Sequence, residues 1–206
     1  MKQITRSSFA LFLIFLLGCG SQTSTDGETD NTPTSTNNSN QIDVQAISND
    51  KNKSSDNPVE LEVVQEDVQK MELAIFAEDA DALLEYAHPI VMKLSGNDTK
   101  VFYAALEKTF SIHREKSAKL ESLSFIHPPT YVQSDINEFA IVPVKKIVKT
   151  SDRRVENLPI YVGIRPIGSS EWKYIDITHV SHQIFKAIFP DFPADQELPK
   201  TYVKDL

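Results

Sequence analysis

Between Gly20 and Asn57 the chain carries almost no large apolar side chain, and this stretch decides where a core can form. Runs such as Thr32-Pro33-Thr34-Ser35-Thr36-Asn37-Asn38-Ser39-Asn40 cannot bury enough apolar surface to offset the entropy of ordering. The small island of Ile42, Val44, Ala46 and Ile47 reads as incidental. The segment is expected to be a disordered spacer, with a root-mean-square span of roughly 30–35 Å for a flexible coil of this length. A core is thereby confined to Val59–Leu206, about 148 residues and a typical length for one domain.

Ahead of the spacer, Lys2 and Arg6 precede the apolar run Phe9–Leu17, and Gly18, Cys19 and Gly20 follow it. A basic head, a short greasy middle and small residues at the cut form the layout of a secretory signal. The run is about half of what a spanning helix needs, so removal rather than retention is expected. Leu16-Leu17-Gly18-Cys19 resembles the lipobox of bacterial lipoproteins, in which the cysteine is acylated and becomes the mature N-terminus. The resemblance implies lipidation of Cys19, with more acyl chains than stable anchoring requires. Cys19 is the only cysteine, so no internal disulfide can form, and a thioether to lipid accounts for it. Gly20, where an inner-membrane retention signal would place Asp, points to the outer membrane if the cell is Gram-negative. The expected organisation is a signal peptide over 1–18, a lipidated tether over 19–57 and one globular domain over 58–206.

Charge restricts the partners. The chain has a formal net charge of −8; without Lys2 and Arg6 it holds 19 basic against 29 acidic residues, or −10. An acidic domain is repelled by an anionic membrane surface and should not lie flat on it. No basic stripe with interleaved aromatics is present, which argues against nucleic acid as a partner. Lys145-Lys146 and Arg153-Arg154 read as solvated strand and turn residues.

Helical spacing dominates the first half of the domain. Leu61, Val64, Val68, Met71 and Ile75 recur at steps of three and four, with Glu62, Glu66, Asp67 and Lys70 opposite, predicting a helix that ends near Glu78. Asp79 offers an N-cap to a short helix carrying Leu83, Leu84 and Tyr86, and His88-Pro89 stops it. Asp98 caps a third helix to about Glu115, with Val101, Phe102, Ala105, Leu106, Thr109 and Ile112 facing the core and His113 near the end, where positive charge suits the helix dipole. Strands follow over Leu120–Ile126, Glu138–Lys149, Leu158–Pro166 and Glu171–Thr178. The last alternates Trp172, Tyr174, Asp176 and Thr178 against Lys173, Ile175 and Ile177. Short turns between successive strands favour an antiparallel, strongly curved sheet, and helices followed by strands define an α+β fold. The Phe- and Ile-rich segment Ile184–Pro193 is expected to pack across the helices and close the core.

Three segments carry a further resemblance: Ala77–Pro89, with its acidic turn, helix, aromatic and proline; Glu171-Trp172-Lys173-Tyr174-Ile175-Asp176; and Phe185–Pro190 with Leu198-Pro199 downstream. Together with the element order they are similar to a bacterial branch of the nuclear transport factor 2-like superfamily. The resemblance implies a cone, with N-terminal helices wrapped by a curved antiparallel sheet. It implies that Tyr86, Trp172, Tyr174 and Asp176 bind a ligand inside the cone. Asp176 is the one weak catalytic candidate, as an acid or base; the alternative is that it fixes the strand end by hydrogen bonding.

Other chemistry finds little support in the sequence. There is no Gly-x-Ser-x-Gly elbow, no glycine-rich phosphate loop and no calcium loop. His179 and His182 share a metal-compatible spacing without a third ligand nearby and read as surface residues, as His127 reads as a loop residue. No metal or cofactor is expected. The favoured expectation is a noncatalytic, membrane-tethered envelope lipoprotein that binds a small hydrophobic ligand or an envelope protein. The alternatives are a structural homodimer built through the sheet face and a lyase- or isomerase-like enzyme using Asp176.

Overall fold

The structure, a computed structural model, describes the backbone of residues 58–206 and the side chains of residues 62–206. The expected signal peptide, Cys19 and the tether lie outside the described residues. Four helices come first: α1 (Pro58–Ala77), α2 (Ala80–Tyr86), α3 (Pro89–Leu94) and α4 (Thr99–Glu115). Strands β1 (Lys119–Phe125), β2 (Thr130–Gln133), β3 (Asn137–Lys149), β4 (Arg154–Asn157), β5 (Ile160–Pro166) and β6 (Lys173–Asp176) follow. A short helix α5 (His182–Ile188) and strand β7 (Val203–Asp205) complete the described chain. The fold is α+β with an antiparallel sheet. Among the described residues no helix is long and apolar enough to cross a membrane.

Local signals set most boundaries. Asp79 and Asp98 accept from the backbone N–H groups of Ala82 and Lys100, capping α2 and α4. His88-Pro89 does more than stop α2. Proline is well suited to a first helical turn, and His88 Nδ1 accepts from the Ile90 N–H at 3.1 Å, so the pair opens α3. Ser181 likewise caps α5, accepting from Ile184 N.

β3 is the spine of the sheet. One of its edges pairs with β5 and then β4, in a single register that runs from Asn137↔Pro166 to Lys149↔Arg154. β1 and β2 also pair with it, while β6 extends β5 and β7 extends β4. Proline interrupts all three arms at one level: Pro128-Pro129 between β1 and β2, Pro143 within β3, and Pro159 between β4 and β5. Each removes a ladder donor there, which divides the sheet into two halves joined by β3. The free edge of β6 is covered where the His88 N–H donates to the Tyr174 carbonyl at 2.8 Å.

Alternation along β3 builds two cores. Ala140, Val142 and Val144 join Val64, Val68, Met71, Phe102, Leu106, Phe110, Trp172 and Tyr174 beneath the helices. Gly163 makes room for this packing, since a Cβ there would lie 3.0 Å from the Tyr174 ring and 3.2 Å from Trp172. Phe139 and Ile141 point the other way, into a cluster with Ile160, Val162, Ile164, Ile175, Phe185, Phe189 and Phe192. The Phe- and Ile-rich tail is thus buried, but on the far face of the sheet rather than across the long helices. Near the sheet edge it meets the start of α3, where His88 lies edge-on to Phe189 at 5.3 Å. Val101, expected in the core, is exposed, and Phe110 takes a buried place on α4 instead.

Candidate functional site

A carboxylate interrupts the helix-side core. Glu72 of α1 is fully buried. Lys146 of β3 donates to both its oxygens, at 2.8 and 2.9 Å, and the Tyr161 hydroxyl donates to Oε1 at 2.7 Å. Lys146 is therefore no solvated strand residue. Its side chain is only 16% exposed and turns inward, whereas Lys145 points outward to Glu156 at 2.8 Å. The position follows from the pleat: Lys146 continues the inward series of Ala140, Val142 and Val144. A buried charge pair is tolerable only when both partners are satisfied, and this one ties α1 to the two central strands.

Asp176 stands opposite Tyr161 in the β5–β6 register. Its Oδ1 accepts from the Thr178 N–H at 2.8 Å and from the Thr178 hydroxyl. Thr178 also accepts from the Ile160 N–H at 3.2 Å, so this cluster pins the end of β6 to the start of β5. Burial pushes the Asp176 carboxyl above its ordinary value, against the opposing pull of the Thr178 hydrogen bonds. Burial, reinforced by Glu72, also raises the Tyr161 phenol well above its usual range.

A cavity of about 70 Å³ opens between α1, α4 and the inner face of the sheet. Lys146, Tyr161 and Asp176 line it from the strands. Asn157, opposite Lys146 in the β3–β4 register, and His113 of α4 line it as well. His113 stacks on Phe76 with centroids 5.0 Å apart. Burial first, and then Lys146, lower its pKa, which opposes the positive charge expected of this residue at the helix end. Exposed Tyr202, Val203 and His179 make the rim.

Of the four residues expected to bind a ligand, Asp176 alone lines this cavity. Trp172 and Tyr174 are packed into the core beside it, with Tyr174 donating to Asp67 at 2.9 Å and Arg165 lying 4.4 Å over the Trp172 ring. Tyr86 sits against Tyr174, with ring centroids 6.3 Å apart. The residues that the sequence reading missed are Glu72, Lys146, Tyr161 and Asn157. Glu72 alone left a signal, falling at the i+4 position from Val68 within the apolar stripe of α1. His182 is half-buried near Phe192 on the far side of the sheet, apart from His179. Among the described residues no group of three potential ligands could hold a metal ion. No family model, curated protein or solved structure matches the chain.

Proposed function

We propose that this protein is a membrane-tethered, noncatalytic binding module of the cell envelope. In this reading, lipid on Cys19 anchors the chain, residues 19–57 hold the domain away from the headgroups, and the α+β domain takes a small ligand or a protein partner. Helices followed by an antiparallel sheet interrupted by prolines at one level support assigning the domain to the nuclear transport factor 2-like cone.

The observation that carries the binding role is the small, partly polar cavity under the sheet. The same surroundings weigh against catalysis. Glu72, Lys146 and Tyr161 are engaged with one another, and Asp176 Oδ1 is committed to Thr178. A dimer built through the outer sheet face is less favoured, because Phe185, Phe189 and Phe192 already occupy much of that face.

Two measurements test the proposal. Labelling with an alkyne fatty acid should tag the wild-type chain and not Cys19→Ala; equal labelling of both would remove the anchor. Native mass spectrometry of the chain extracted from envelopes should show an adduct of fixed mass that is lost on unfolding and refolding. A chain that carries no adduct and captures no envelope protein on crosslinking would remove the binding role.

A further inference from the structure

Two buried polar atoms of the cavity lining have no hydrogen-bond partner among the described residues. Asn157 is about nine-tenths buried, and its Oδ1 has no hydrogen-bond partner. His113 Nδ1 is buried in the same condition. Asp176 lines the same space, with both donors of Thr178 directed at its Oδ1. A buried polar atom left unpaired costs about 1–3 kcal/mol, so two such atoms around one small space favour whatever brings hydrogen-bonding partners to them.

Charge narrows the choice. The charged groups at the cavity are Glu72 behind its wall, Lys146, Asp176 and Lys116, two of each sign. Glu72 and Lys146 already neutralise each other. An anion would meet Asp176 and the Asn157 amide oxygen; a cation would meet Lys116 and Lys146. Size narrows it further. About 70 Å³ is well below the roughly 300–1,000 Å³ of sites that enclose a drug-sized ligand. Only a head of a few heavy atoms fits, with any remainder leaving past the apolar Val203 and the Tyr202 ring.

We infer that the cavity binds a small uncharged group bearing N–H or O–H donors, a primary carboxamide or an alcohol, held by Asn157, His113 and Asp176. This deepens the binding role proposed above and rests on it. The amide oxygen of Asn157 offers lone pairs, and the His113 ring nitrogen pairs with a donor or an acceptor according to its tautomer; an alcohol or a primary carboxamide, which carries both, satisfies the two, and a carboxylate or phosphate does not satisfy Asn157.

The test is a titration of the full-length chain in detergent, uniformly labelled with nitrogen-15, using acetamide, ethylene glycol, acetate and methylammonium. Acetamide or ethylene glycol should shift the His113 ring nitrogens saturably, and acetate and methylammonium should not. Asn157→Leu should weaken the effect at least tenfold. If Asn157→Leu fails to fold, His113→Phe keeps the stack on Phe76, and the same loss should be read at the Thr178 amide. Saturable binding of acetate or methylammonium at equal or lower concentration would overturn the inference. So would the absence of saturation by any probe in a fully folded chain, which would mean that the cavity holds solvent only. If the small donors fail while the envelope-extracted chain still carries its adduct, the inference falls and the binding role stands. If both fail, both fall.

Discussion

β3 sends alternate side chains into two differently built interiors. Outward, Phe139 meets Phe192 edge to face at 5.1 Å, and Phe185, Phe189 and four isoleucines and valines of β5 and β6 fill the remaining space. Inward, the same strand begins with Ala140 and Val142 and ends on a lysine bound to a buried glutamate beside a cavity. The outer interior is a solid closure. The inner one gives up apolar contact for a polar framework that can hold a space open. The proposed binding role rests on the second, and the first supplies the rigidity that keeps the strands in register.

Substitutions can separate the two. Phe139→Ala should cost about 3–5 kcal/mol, because the surrounding rings cannot collapse into the hole. Lys146→Met should cost a similar amount, for another reason: it leaves Glu72 buried without its counter-charge, held by Tyr161 only. The difference appears on combination. Glu72→Leu with Lys146→Met and Tyr161→Phe should recover most of the loss, whereas no polar rescue exists for Phe139→Ala. Urea unfolding midpoints, with slopes checked for constancy, read both effects. A triple variant as unstable as Lys146→Met would show that the framework contributes more than mutual neutralisation.

Acidification tests the seam between the two interiors, where His88 caps α3 and touches Phe189. Burial, assisted by Lys93, lowers its pKa from 6.5 to about 4. Between those values the unfolded chain binds a proton that the native state refuses, so stability falls as pH falls through this window. Allowing for the ring's partial exposure, the loss is on the order of 1–2 kcal/mol. His88→Asn keeps an acceptor at the cap and should melt with a flatter pH dependence than wild type. An unchanged profile would remove His88 from the account.

Asp176→Asn should have the smallest effect and the opposite sign. A raised pKa means that the native state holds its proton longer than the unfolded one, so ionisation above 3.8 destabilises the fold as pH rises. Asparagine removes that cost while its Oδ1 can still accept from Thr178. The variant should match wild type or exceed it by up to about 1 kcal/mol at pH 7, with the gain vanishing in acid. Thermal melts at two pH values settle this, and a large loss at pH 7 would make the charged form structurally necessary.

Much of the fold was legible because its signals are local. Asp79 and Asp98 announce α2 and α4, and the alternation of Trp172, Tyr174 and Asp176 against Ile175 and Ile177 assigns both sides of β6. The errors arise where one signal has two readings. His88-Pro89 ends one helix and begins another, and β2 and β4, at four residues each, are too short for alternation to separate them from turns. The site was less legible. Glu72 and Lys146 lie 74 positions apart, and only the packing of α1 on β3 makes them partners. Asp176 could be singled out because its neighbours are aromatic; Asn157 could not, because nothing around it in sequence marks an inward position.

The cavity joins the first described element to the last: α1 contributes Ile75 and Phe76, and β7 contributes Val203, with Tyr202 just before it. Contacts so distant along the chain form late, after intervening loops have been closed. A polypeptide made from its N-terminus would therefore assemble the helices and most of the sheet before the rim of the cavity was complete. A copy lacking its final strand pairing would have a gap where part of the cavity rim belongs.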